Sequence, residues 1–98
     1  MYKLFGGYRN KIPVYVTCAY YRDGKGDSEL RDELKKLISI GHKSFKVKVG
    51  GLSIKEDCKR LEIIRDEIGN KKDLMIDVNR AWDLRTALEG VKEFKKFN

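Results

Sequence analysis

Three short β-branched and aromatic runs, each followed by one amphipathic helical stretch, constrain this chain more than any other feature. The runs are "IPVYVTCAYY" (12–21), "SFKVKV" (44–49) and "DLMIDVN" (73–79). They recur roughly 30 residues apart, the length of a strand, a crossover helix and two turns. Between the first two, "DSELRDELKKLISIG" (27–41) sets Leu30, Leu34, Leu37, Ile38 and Gly41 on one helical face. Asp27 is the expected N-cap and Gly41 the stop. After the second run, Ser53 and Glu56 make an S-x-x-E capping box. Ile54, Cys58, Leu61, Ile64 and Ile68 then form an apolar stripe that ends at Gly69. After the third, Asp83 caps a helix whose expected inner face is Leu84, Ala87, Leu88, Val91 and Phe94. A βαβαβα order with such short turns predicts an α/β fold: a parallel sheet covered by helices.

The alternation within the second and third runs sorts side chains by face. Phe45, Val47 and Val49 share one side of the second strand, Lys46 and Lys48 the other. Leu74, Ile76 and Val78 share one side of the third, Met75, Asp77 and Asn79 the other. With helices on the apolar faces, the opposite face collects Lys46, Lys48, Asp77 and Asn79 towards the C-terminal strand ends, where α/β sheets and barrels bind ligands. Two explanations stand at this point. The face is a polar side turned to water, or it is a site that needs two ammonium groups, since burying an unpaired ammonium is costly.

Composition narrows the classes. The chain has 98 residues, 41% hydrophobic and 38% charged, which suits one folded domain. The net charge of +7 is compatible with nucleic acid or an anionic substrate. The basic residues are spread, and the one dense block, "VKEFKKFN", has helical spacing and reads as a solvated face; a small basic nucleic-acid binder remains an alternative without a motif to support it. Cys18 and Cys58 are too few and too far apart for a disulfide framework or zinc site, and suit a reduced, cytoplasmic protein. No run approaches the ~18 apolar residues of a membrane helix. "GKGDS" is not a phosphate loop, because glycine follows the lysine. His42 reads as a turn residue and Trp82 as a packing residue beside the third helix.

"FKVKVGG" followed by "LMIDVNRAWD" resembles the mandelate racemase and muconate lactonizing enzyme group of the enolase superfamily. "LFGGYRNKIPVY" is similar to that group's passage from capping domain into barrel, so residues 1–11 are expected to be a lead-in segment from a capping domain and 12–98 a partial barrel domain. The resemblance implies the first three units of a TIM-like (β/α) barrel. It implies Lys48 as the base that removes a proton alpha to a carboxylate, with Lys46 as the neighbour that lowers the base's pKa and meets the substrate carboxylate. Asp77 falls on the first of three magnesium ligands and Asn79 on a substrate contact. "YYRDGKG" and "DVNRAWD" are similar to stretches of sugar-acid dehydratases, in which Tyr20, Tyr21 and Lys25 would contact substrate; an ordinary exposed loop is the other reading. The chemistry is coherent: a lysine base and a divalent cation suit a very weakly acidic α proton.

A complete barrel of this kind needs roughly 250 residues. The isolated chain is therefore expected to lack turnover and to bind magnesium at most weakly. Bare sheet edges predict a homo-oligomer. A half-barrel that serves only as a binding or assembly module is the non-catalytic alternative.

Overall fold

A computed structural model describes residues 1–97. Three strands, β1 (Val16–Cys18), β2 (Ser44–Lys48) and β3 (Asp73–Asp77), alternate with three helices, α1 (Asp27–Ile40), α2 (Ile54–Ile68) and α3 (Leu84–Phe94). The sheet is wholly parallel, in the order β1-β2-β3. Consecutive strands are therefore neighbours, and α1 contacts α2, which contacts α3.

Core and sheet faces follow the alternation. Phe45, Val47 and Val49 are buried against Leu30 and Leu34 of α1 and Leu61, Ile64 and Ile68 of α2. Full burial of side chains this size contributes about 1.5–3 kcal/mol each. Phe94 and Phe97 close the far end. The capping box at Ser53 is present: its hydroxyl accepts from Glu56 N–H at 3.3 Å, and Glu56 accepts from Ser53 N–H at 3.1 Å. Asp83 accepts from Thr86 N–H at 2.8 Å. Gly41 ends α1 at φ 104°, where its N–H and that of His42 donate to Ile38 and Leu37 carbonyls.

Several expectations are corrected. The first strand is Val16–Cys18 rather than 12–21. Residues 12–15 are exposed and lie beyond the register with β2. At the other end Ala19 turns into the left-handed region at φ 54°, and its N–H leaves the ladder for Glu33 Oε1 at 3.0 Å. The N-cap of α1 is Gly26, not Asp27, which is the first helical residue; Gly26 N–H donates to Glu29 Oε2 at 3.1 Å. The second and third strands stop at Lys48 and Asp77 instead of 49 and 79. On α3, Leu84, Leu88 and Val91 are exposed rather than inward. They and half-exposed Ile76 lack a layer of their own: β3 is one edge of the sheet, and no α-helix follows α3 among the described residues.

Candidate active site

Parallel register does the assembling. Lys48 is the Cα partner of Asp77, and Lys46 of Met75, so both lysines and the carboxylate stand on the helix-free face of the sheet. Lys48 Nζ donates to Asp77 Oδ2 at 2.8 Å and to Asn79 Oδ1 at 2.5 Å. Lys46 Nζ lies 3.7 Å from the same Asp77 oxygen and donates to Tyr15 Oη at 3.1 Å, above the Tyr15 ring. The lysines are half-buried, at 24% and 16% side-chain exposure, so neither is a freely hydrated surface cation.

The chain turns sharply after β3. Asn79 and Arg80 both have positive φ, 46° and 65°. Asn79 N–H donates to Asp77 Oδ1 at 3.0 Å, an Asx-turn that folds the Asn79 side chain back over Lys48. An Asp-x-Asn spacing is suited to this, since asparagine tolerates the left-handed region. The hydrogen bond from Lys48, then that from Asn79 N–H, then both lysine charges hold the Asp77 carboxyl below the usual aspartate range. The bond to Tyr15 foremost, with the Asp77 charge adding to it, pushes Lys46 up.

Tyr20 joins this group, its ring 5.6 Å from Lys48 Nζ. A depression at the strand ends is lined by Tyr20, Tyr21, Lys48, Gly50, Gly51 and Asn79, among others. Two expected substrate contacts are committed elsewhere. Lys25 is paired with Glu33 of α1, and its Nζ also reaches Tyr20 O at 3.3 Å. The Tyr21 phenol donates to Asp57 Oδ1 at 2.5 Å, leaving the side of its ring against Gly51. Burial, then the bond to Asp57, pushes Tyr21 up to about 12. Trp82 packs as expected, 5.6 Å from Phe94 and over Gly90.

Sequence reasoning missed Tyr15, Glu33, Asp57 and Arg60. For Asp57 a signal existed: it lies at helical spacing with Leu61, Ile64 and Ile68, and an acid on an apolar stripe must find partners. It is fully buried.

A family profile, Enolase C-terminal domain-like, matches residues 29–98. The chain belongs to the enolase superfamily, in its mandelate racemase and muconate lactonizing enzyme group. It is 36% identical over 96 residues to the arabinonate dehydratase of Saccharolobus solfataricus, a match that covers 98% of this chain and 26% of that protein. It is 33% identical over 95 residues to the L-Ala-D/L-Glu epimerase of Clostridium acetobutylicum, covering 97% and 25%. A racemase from Streptomyces coelicolor A3(2), solved with bound magnesium, superposes with a TM-score of 0.87 at 29% identity, over 98% of this chain and 28% of its own. The chain thus spans about a quarter of the length of the relatives it matches. Its βαβαβα sheet corresponds to the first three units of a TIM-like barrel.

Magnesium takes hard oxygen ligands, and Asp77 presents one carboxylate of that kind. The described residues contain no group of three His, Cys, Asp or Glu side chains able to hold a metal ion.

Proposed function

We propose that this chain carries the proton-abstracting side of an enzyme that removes the α proton of a carboxylate substrate, a sugar-acid dehydratase foremost. The carrying observation is the registration of Lys48 with Asp77, which puts the amine 2.8 Å from the carboxylate at the C-terminal end of two adjacent barrel strands. Relatives named as arabinonate and L-galactonate dehydratases support the substrate class. The epimerase and a racemase relative make racemisation the neighbouring outcome of the same first step.

In this reading Lys48 is the base. A base must present a lone pair, whereas Lys48 Nζ here donates to Asp77 and Asn79, so substrate entry must redirect those contacts. Lys46, kept cationic by Tyr15, faces the substrate carboxylate. Asn79 and Tyr20 border the same depression and hold the substrate over Nζ. In a dehydratase the α proton passes to the Lys48 amine, the resulting ammonium returns a proton to the β hydroxyl, which leaves as water, and the enol left behind tautomerises to a 2-keto acid. Asp77 would supply one oxygen ligand to a magnesium ion, which would stabilise the negative charge that develops on the substrate carboxylate as the α proton leaves.

The test uses a hybrid in which this chain replaces the matching segment of the S. solfataricus arabinonate dehydratase. The hybrid is expected to form 2-keto acid from a sugar-acid panel, and its Lys48→Met variant to form none. Equal turnover by both overturns the assignment. The chain alone is expected to show no dehydration and no tight, stoichiometric magnesium uptake by calorimetry; dehydration by the chain alone, or tight uptake of the metal, would sink the view that it carries only one side of the site.

A second reading, a half-barrel that only binds or assembles, draws on one observation: Ile76, Leu84, Leu88 and Val91 form an exposed apolar face beside the free edge of β3.

A further inference from the structure

The ladder between β1 and β2 ends at the pair Cys18↔Val47. One residue further on, the two strand ends are joined by a side chain. Arg60 Nη2 donates to Ala19 O at 2.7 Å, and Arg60 Nη1 donates to Lys48 O at 3.0 Å. The planar guanidinium spans two carbonyls that would otherwise be loose ends, which a single ammonium cannot do with the same geometry.

The guanidinium is itself held by an acid and an aromatic ring, each of them anchored in turn. Asp57 Oδ1 accepts from Arg60 Nη1 at 3.2 Å. The Tyr21 ring lies 4.0 Å from the guanidinium carbon. Asp57 Oδ2 accepts from Gly50 N–H at 2.7 Å, and Tyr21 Oη accepts from Gly51 N–H at 3.2 Å. The fully buried carboxylate is therefore saturated by a cation, a phenol and a backbone amide. Gly51 lies so close to the Tyr21 ring that an added Cβ would sit 2.6 Å from it. Across the sheet Val49 N–H donates to Asp77 O at 3.2 Å, so the backbone around Lys48 is tied to β3 on one side and to Arg60 on the other.

We infer that Arg60 is a positioning residue for Lys48, an extra rung that fixes the end of β2 so that the amine meets Asp77 and Asn79. Arg60 touches none of the reacting groups; it acts through the Lys48 carbonyl. The inference rests on Lys48 being the base for its functional meaning, while its geometry stands on this chain alone. Ligation of strand ends matters because an error of about 1 Å in a reacting group can cost on the order of a hundredfold in rate.

The experiment is NMR on the 98-residue chain with labelled lysine, arginine and asparagine. In the wild type, the Arg60 η protons are expected as separate, slowly exchanging signals, together with a nuclear Overhauser contact between Lys48 Hε and the Asn79 side-chain amide. In Arg60→Lys, which keeps the charge beside Asp57, that contact is expected to be lost while the core signals of Phe45, Val47 and Leu61 keep their positions. A folded Arg60→Lys chain that retains the contact overturns the inference. Freely rotating Arg60 η groups in the wild type overturn it without any variant. Proton abstraction by the hybrid enzyme tests Lys48 as the base separately, so either idea can fail while the other stands.

Discussion

Gly90→Ala sets helix propensity against packing. Gly90 lies inside α3, where alanine is preferred to glycine by about 1 kcal/mol. The structure argues the other way. Gly90 is buried under the Trp82 indole, and a Cβ built there would fall inside 3.0 Å of two ring carbons. A helix backbone cannot retreat by that distance, so the ring must. Trp82 is confined by Phe94 on one side and by Gly50, whose own added Cβ would lie 3.0 Å from the indole nitrogen, on the other. Overpacking of this type costs about 1–3 kcal/mol. With the propensity gain subtracted, the upper half of that range leaves a net loss of about 1–2 kcal/mol, and the lower end leaves nearly none. A loss near 1 kcal/mol lowers the Tm of a domain this size by about 4–8 °C. Urea denaturation followed by fluorescence of Trp82, the chain's single tryptophan, reads both the stability and the ring's surroundings. A midpoint shifted upwards with unchanged native emission would refute the packing argument and leave propensity as the dominant effect.

Asp57→Ala leaves the Arg60 charge and the Gly50 amide without their acceptor, and breaking a buried pair in this way costs about 3–5 kcal/mol; chemical denaturation measures it, and a loss below 1 kcal/mol would contradict the saturated-carboxylate picture. Tyr21 has an ordinary value of 10.0 and is pushed up to about 12 in the fold, so the unfolded chain ionises first. Its contribution to stability is whole below pH 10 and falls away between pH 10 and 12. Tyr21→Phe is expected to flatten that alkaline decline in a pH series of unfolding midpoints, and an unchanged decline would count against the bond between the Tyr21 phenol and Asp57. The exposed face of Ile76, Leu84, Leu88 and Val91 is expected to drive self-association of the isolated chain, seen as a sedimentation coefficient that rises with concentration. A single monomer boundary at millimolar concentration would contradict it.

The parts legible in the sequence were those set by local periodicity. Alternation in 44–49 placed Lys46 and Lys48 opposite Phe45 and Val47, and caps at Ser53 and Asp83 marked helix starts correctly. What could not be read depends on partners distant along the chain. The run 12–21 has strand chemistry throughout, yet only Val16–Cys18 pairs, because Ala19 N–H is captured by Glu33 of α1 and its carbonyl by Arg60 of α2. The apolar stripe of α3 was legible as a stripe, but its exposure was not, since amphipathicity shows that a face wants cover without showing what supplies it. In the site, the grouping of Lys46, Lys48, Asp77 and Asn79 follows from strand register and was foreseeable. The diversion of Lys25 to Glu33 and of the Tyr21 phenol to Asp57 was not, because each pairing joins a loop side chain to a helix acid through the tertiary fold. Asp57 alone gave warning, as an acid on the buried face of α2.

The central claim is that Lys48, aligned with Asp77, takes the α proton. The most direct measurement is release of deuterium from an α-deuterated sugar acid into water, followed by NMR, by the hybrid enzyme and its lysine variants. The account predicts release by the parent, none by Lys48→Met, and release at weakened substrate affinity by Lys46→Met. Release by Lys48→Met at the parent rate would contradict it.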